Sequence, residues 1–171
     1  MLDSRQIRRL FQALNRELKR MNVVGEVGIC GGAVMCLVFN ARRATKDVDG
    51  VFHPTKEIRK ASRSVAEAIG VTGDWLNDAA KSFFHADPPR RNVLNLSNLR
   101  VWAPTAEYML AMKCVSARVD THDKDDVEFL IRYLKLTRAC DVFDIVSRYY
   151  PHNLVPAKTR FLVEELLGAE T

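Results

Sequence analysis

The sequence predicts an α+β protein: a small mixed sheet flanked by helices, with a helical C-terminal portion. Three observations predict it. Short apolar runs with strand character, "EVGICGG" and "KDVDGVF", stand in the first part of the chain. Around them lie segments whose apolar residues keep helical spacing, "SRQIRRLFQALNRELKRM" and "TKEIRKASRSVAEAIG". From "APTAEYMLAMKCVSAR" onward the pattern is helical throughout. The switch falls near Ala103, so the expected organisation is a sheet-bearing region over 1–103 and a helical portion over 104–171 packed on it.

In the first helix Ile7, Leu10, Phe11, Leu14, Leu18 and Met21 form the apolar stripe, which leaves Arg5, Arg8, Arg9, Arg16, Lys19 and Arg20 largely on the other side. "EVGICGG" is a short buried strand ended by glycine, "AVMCLVFN" a brief apolar helix and "ARRAT" a loop. "KDVDGVF" follows as a second strand, with Val48 and Val51 turned toward neighbours. Thr55 is placed to cap the next helix and Gly70 to stop it. A less regular stretch holds "GDWLND" and the turn "DPPRRN"; "VLNLSNLRVW" then offers a hairpin. Pro104 and Thr105 open the next helix, Asp123 can cap "KDDVEFLIRYL", and two further helices flank Pro151 and Pro156.

Composition narrows the function classes. With 171 residues, 47% of them hydrophobic, the chain can bury a core without staples. Cys30, Cys36, Cys114 and Cys140 show no C-x-x-C spacing and lie in apolar runs, which fits buried free thiols in a reducing cytoplasm rather than disulfides or zinc. His53, His85, His122 and His152 are scattered without metal-ligand spacing. Trp75 and Trp102 suit core or rim packing, with base stacking as the alternative. No apolar run approaches the ~20 residues that span a bilayer, and charges in the first turn do not form a signal-peptide pattern, so the expectation is a soluble cytoplasmic protein without a membrane partner. A formal charge of +5 leans toward a polyanionic partner. The basic side of the first helix is either a solvated face or a nucleic-acid surface made by Arg5, Arg8, Arg9 and Arg16.

Chemistry concentrates in "GGAVMCLVFNARRATKDVDGVF". Strand alternation puts Asp47 and Asp49 on one face, where two carboxylates repel unless a cation stands between them. Mg²⁺ is commonly held by one or two carboxylates plus substrate phosphates. Gly31 and Gly32, having no Cβ, would let a phosphate approach the backbone at a helix N-terminus.

The order Gly-Gly, short helix, Arg-x-Thr-x-Asp-x-Asp, carried by Gly31, Gly32, Arg43, Thr45, Asp47 and Asp49, resembles the nucleotidyltransferase superfamily with the polymerase-β-like palm. "EYMLAMKCVSAR" followed by "DKDDVEFL" resembles the lysine and Lys-Asp motifs of small AbiEii-type nucleotidyltransferases, the toxins of type IV toxin–antitoxin systems, and "GDWLND" resembles a segment of their small relatives. The resemblance spans about Gly28 to Leu134 and makes region 1–103 a palm preceded by a basic helix.

It implies transfer of a nucleoside monophosphate from a nucleoside triphosphate to an acceptor hydroxyl, with RNA, especially the tRNA acceptor end, as the favoured acceptor, a small molecule or a protein hydroxyl as the alternative, and a cognate antitoxin protein as a possible further partner. It implies one or two Mg²⁺ ions on Asp47 and Asp49, a triphosphate seat at Gly31, Gly32, Arg43 and Thr45, Lys113 on phosphate oxygens, and Asp125 at the acidic position of the last motif. Lys113 also shares a helical face with Ala106, Leu110 and Ala117, where an ammonium needs an anion or water. The expected catalytic set is therefore Asp47, Asp49, Lys113 and Asp125. "VLNLSNLRVW" contains no acid to act as the third strand carboxylate, and Asp125 or Glu128 are the alternatives for a base. That leaves open a second class: a catalytically reduced relative that binds nucleic acid or a partner protein.

Overall fold

The computed structural model describes residues 1–116 and 123–168. It is α+β, and the chain divides into two compact units. The first joins Met1–Lys81 to Arg90–Pro104; the second joins Ser82–Pro89 to the chain from Thr105 onward.

The first unit opens with a two-residue strand β1 (Leu2–Asp3) and helix α1 (Ser4–Arg20). A capping box starts α1: the Gln6 backbone N–H donates to Asp3 Oδ1 at 2.7 Å and the Asp3 N–H donates to Gln6 Oε1 at 2.9 Å. Strand β2 (Gly25–Ile29), helix α2 (Gly31–Leu37), strand β3 (Ala44–Thr45) and strand β4 (Val48–His53) follow. Helix α3 (Thr55–Ile69) precedes the short strand β5 (Leu76–Asn77), and a hairpin of β6 (Arg90–Asn95) and β7 (Leu99–Pro104) ends the unit.

Among the described residues the sheet runs β5-β4-β2-β7-β6, with β2 antiparallel to β4 and parallel to β7. Register sorts its faces. Val27 lies opposite both Phe52 and Val101, and Ile29 opposite Gly50, so these residues share one side of the sheet. A Cβ built on Gly25, on that same side, would stand 3.0 Å from both Leu18 of α1 and Ile58 of α3. The two helices therefore cover this side, burying Ile7, Leu10, Phe11, Leu14 and Leu18 of α1 with Ile58, Ala61 and Val65 of α3. Each large side chain so buried contributes roughly 1.5–3 kcal/mol. Trp75 seals the seam: its ring meets Phe11 edge-on at 5.8 Å between centroids, and its Nε1–H donates to the Ser62 carbonyl at 3.0 Å.

The second unit holds helices α4 (Ala106–Ser116), α5 (Asp123–Tyr133), α6 (Ala139–Tyr149) and α7 (Ala157–Leu167). Every residue of α4 from Tyr108 to Cys114 is buried, which makes α4 the core helix against which the other three pack. Segment 82–89 belongs here because tyrosines fix its backbone. The Tyr108 hydroxyl donates to the His85 carbonyl at 2.7 Å and accepts from the His85 N–H at 2.9 Å, while the Tyr150 hydroxyl donates to the Phe83 carbonyl at 2.5 Å.

Several local expectations are corrected. "ARRAT" is not all loop: Ala44 and Thr45 pair with Asp3 and Leu2, a long-range pairing that two residues cannot announce. The helix expected from Ala33 begins at Gly31 and stops at Leu37, so the glycines form its first turn. Thr55 does not cap α3; Pro54 holds that position, and the Thr55 hydroxyl donates to the Phe52 carbonyl at 3.0 Å. Asp123 is the first residue of α5. Pro104 ends β7 rather than opening a helix. Val48 is buried but Val51, three positions on, lies half-buried on the other side of the strand with Asp49. Met21 caps α1 half-buried instead of extending its stripe, and "GDWLND" supplies an edge strand. Ala117 and His122 lie outside the described residues.

Candidate functional site

The glycine turn and the aspartate strand meet at the end of β2. The Cys30 N–H donates to the Asp49 carbonyl at 2.9 Å, which locks β2 to β4 as far as the turn. There the chain enters the left-handed region, with Gly31 at φ +60°, before winding into α2. A side chain at this position would be strained by its backbone and crowded by its surroundings: its Cβ would lie 3.3 Å from Asp49 Oδ2. The Asp49 carboxylate therefore stands directly beside the bare backbone of Gly31.

The second glycine is enclosed by the loop that returns from α2. A Cβ at Gly32 would meet Thr45 Oγ1 at 2.5 Å and Arg42 Nη1 at 3.6 Å. Thr45 is buried and held in β3 by its pairing with Leu2. Arg42, rather than Arg43, brings its guanidinium to the glycines; Arg43 is exposed, and its carbonyl accepts from the Cys36 thiol at 3.7 Å. Burial, and secondarily the Asp3 charge, push the Cys36 thiol above its ordinary range.

Asp47 immediately precedes β4 and is oriented from β5. Asn77 pairs with Asp49 in the parallel β4–β5 register, and its Nδ2 donates to Asp47 Oδ2 at 3.3 Å. The other end of the Asn77 amide is fixed by the Ala79 N–H, which donates to Oδ1 at 3.0 Å. Both aspartates thus lie toward Asn77, on the sheet side opposite α1 and α3. Spacing alone did not single out Asn77, because its role depends on which strand pairs with β4.

Lys113 and Asp125 belong to the second unit, and the basic candidates to α1. Lys113 is buried in the second unit, where its Nζ bonds Asp123 Oδ1 at 2.7 Å and Asp126 Oδ2 at 2.8 Å. The anion required by an ammonium on an apolar helix face is supplied within the unit. Asp126, not the exposed Asp125, is the buried acid of "DKDD". Lys113→Met is expected to destabilise the protein by about 3 kcal/mol or more, since it leaves two neighbouring carboxylates, one of them buried, without their cation. A denaturant midpoint equal to that of the unchanged protein would contradict this. Arg5, Arg8, Arg9 and Arg16 are all exposed on α1. The four cysteines form no disulfide, Cys140 is only half-buried, and burial pushes the Cys114 thiol up to about 12, as expected of an inert core thiol.

Fold and site together define an α+β protein with a strand-borne carboxylate set against a glycine turn. No family model, curated protein or solved structure matches the chain. No helix among the described residues is long and apolar enough to cross a membrane. No group of three or more His, Cys, Asp or Glu side chains suited to a metal occurs among the described residues.

Proposed function

We propose that this chain is an Mg²⁺-dependent nucleotidyltransferase that moves a nucleoside monophosphate from a nucleoside triphosphate to an acceptor hydroxyl, with RNA, and the tRNA acceptor end in particular, as the acceptor. The observation that carries it is the 3.3 Å approach of Asp49 Oδ2 to the Cβ position of Gly31. It sets a carboxylate of the kind that binds hard cations beside a glycine backbone that carries no side chain. Thr45 and Arg42 against Gly32 extend the same seat with a hydroxyl and a guanidinium.

The donor set suits the ion. Two carboxylates are hard oxygen ligands, and Mg²⁺ completes its shell with substrate phosphates and water. Bound there, the cation would neutralise phosphate charge. The chain's own part is positioning. Asn77 holds Asp47, the β2–β4 ladder holds Asp49, and Arg42 would offset charge on the leaving pyrophosphate as the acceptor hydroxyl gives up its proton to water, its oxygen bonds the α-phosphorus, and the bond from that phosphorus to the α–β bridging oxygen breaks.

Incubation with each labelled nucleoside triphosphate, Mg²⁺ and total RNA tests this. Label is expected in RNA from a preferred nucleotide and absent when Mg²⁺ is chelated. Label in a small molecule or protein instead would replace the acceptor, and no label from any of the four triphosphates would overturn the transferase reading in favour of a binding protein.

A further inference from the structure

A second basic stripe lies on α3, where Lys56, Arg59, Lys60 and Arg63 recur at i, i+3, i+4 and i+7 and line a groove of 560 Å³ along the helix. Because α1 and α3 pack together over one side of the sheet, the sides of both helices that face away from it present their charges to solvent. Ten basic residues stand against three acidic ones on these two helices, which exceeds the whole chain's excess of +5, so the rest of the molecule is slightly acidic. Two of the ten are engaged by carboxylates: Arg59 with Asp78 at 2.6 Å and Arg20 with Glu17 at 3.2 Å. Among the described residues Arg8, Arg9, Arg16, Lys56, Lys60 and Arg63 make no ion pair.

We propose that the outer sides of α1 and α3 form one docking surface for the phosphate backbone of RNA, on the side of the sheet opposite Asp49. Charge complementarity argues for the occupant. The α3 stripe from Lys56 to Arg63 spans about 10 Å and α1 from Arg5 to Arg20 about 22 Å, enough to follow several consecutive phosphates. Its placement gives it a role separate from the chemistry: it tethers RNA by its backbone, without reading sequence, while the reacting end reaches the other side of the sheet. The choice of RNA rests on the proposed acceptor; the surface itself does not.

The test is the salt dependence of binding to a labelled RNA duplex, with Lys56→Gln/Lys60→Gln/Arg63→Gln and Arg8→Glu/Arg9→Glu/Arg16→Glu as separate variants. Each lost phosphate contact is expected to lower the slope of log K against log salt by about 0.7–0.9, so each triple variant should lose about two units and bind at least ~10-fold more weakly at low salt. The α3 variant should keep its thermal midpoint and its nucleoside triphosphate binding. An α3 variant with an unchanged slope overturns the proposal, as does wild-type binding to phosphatidylserine vesicles without binding to RNA. If the slopes fall as expected but no acceptor is ever labelled, the docking surface stands and the transferase reading fails; if RNA is labelled and the slopes do not change, the reverse holds.

Discussion

Asp49→Asn is expected to abolish Mg²⁺-dependent nucleotide binding and transfer, a loss of at least ~100-fold, while leaving the protein folded. An amide keeps the shape of the carboxylate beside Gly31 but carries no charge for a cation. Asp47→Asn should act in the same direction. Its partner Asn77 offers an amide N–H that an asparagine oxygen still accepts, so the geometry survives and only the charge is lost. Calorimetric titration with a nucleoside triphosphate and Mg²⁺, alongside thermal melts, separates the outcomes. If both variants unfold, the aspartates are structural counter-charges for Arg42 and not ligands.

Gly28→Ala is expected to destabilise the sheet-bearing unit by about 3 kcal/mol, at the top of the usual range for overpacking. Its Cβ would fall 2.1 Å from one carbon of the Trp102 ring and 2.5 Å from two others, on the sheet side that also carries Asp49. Neither side can yield easily. β2 is the central strand, hydrogen-bonded to β4 and β7, and Gly28 lies opposite Trp102 in the register. Trp102 is pinned in turn: its Nε1–H donates to Glu26 Oε1 at 2.9 Å, the same oxygen bonds Arg90 Nη1 at 2.7 Å, and the Arg90 guanidinium lies 4.4 Å from the ring centroid. The check is a denaturant melt of Gly28→Ala alone and with Trp102→Val. Removing the ring should recover part of the loss, so a double variant no more stable than the single one would show that the clash is not the cause.

Asp49 and Gly31 illustrate what sequence can and cannot say about a site. Their residue types and order suggested phosphate and metal chemistry, and strand alternation put Asp47 and Asp49 on one side. Which residues approach the glycines did not follow from order. Arg42 and Arg43 are adjacent and chemically equivalent in the sequence, and only the path of the loop into β3 brings the Arg42 guanidinium to Gly32. Asn77 lies thirty positions from Asp47 and becomes its partner through the parallel β4–β5 pairing. Lys113 was legible as an ammonium in need of an anion. That Asp123 and Asp126 supply it depends on how α5 folds back on α4.

The sequence by itself determined the α+β class, the helical stretch after the hairpin, the basic outer side and apolar inner side of α1, and the stop of α3 at Gly70, because these rest on periodicity and local backbone preference, which neighbouring residues already fix. Tertiary structure alone decided the two-residue strands β1, β3 and β5, the assignment of segment 82–89 to the helical unit through Tyr108 and Tyr150, and the common sheet side shared by the basic helices α1 and α3. A two-residue strand has no period of its own, and a tyrosine hydroxyl does not reveal which distant carbonyl it meets. Such features exist only as pairings between segments far apart in the chain, so the long-range packing that brings those segments together decides them.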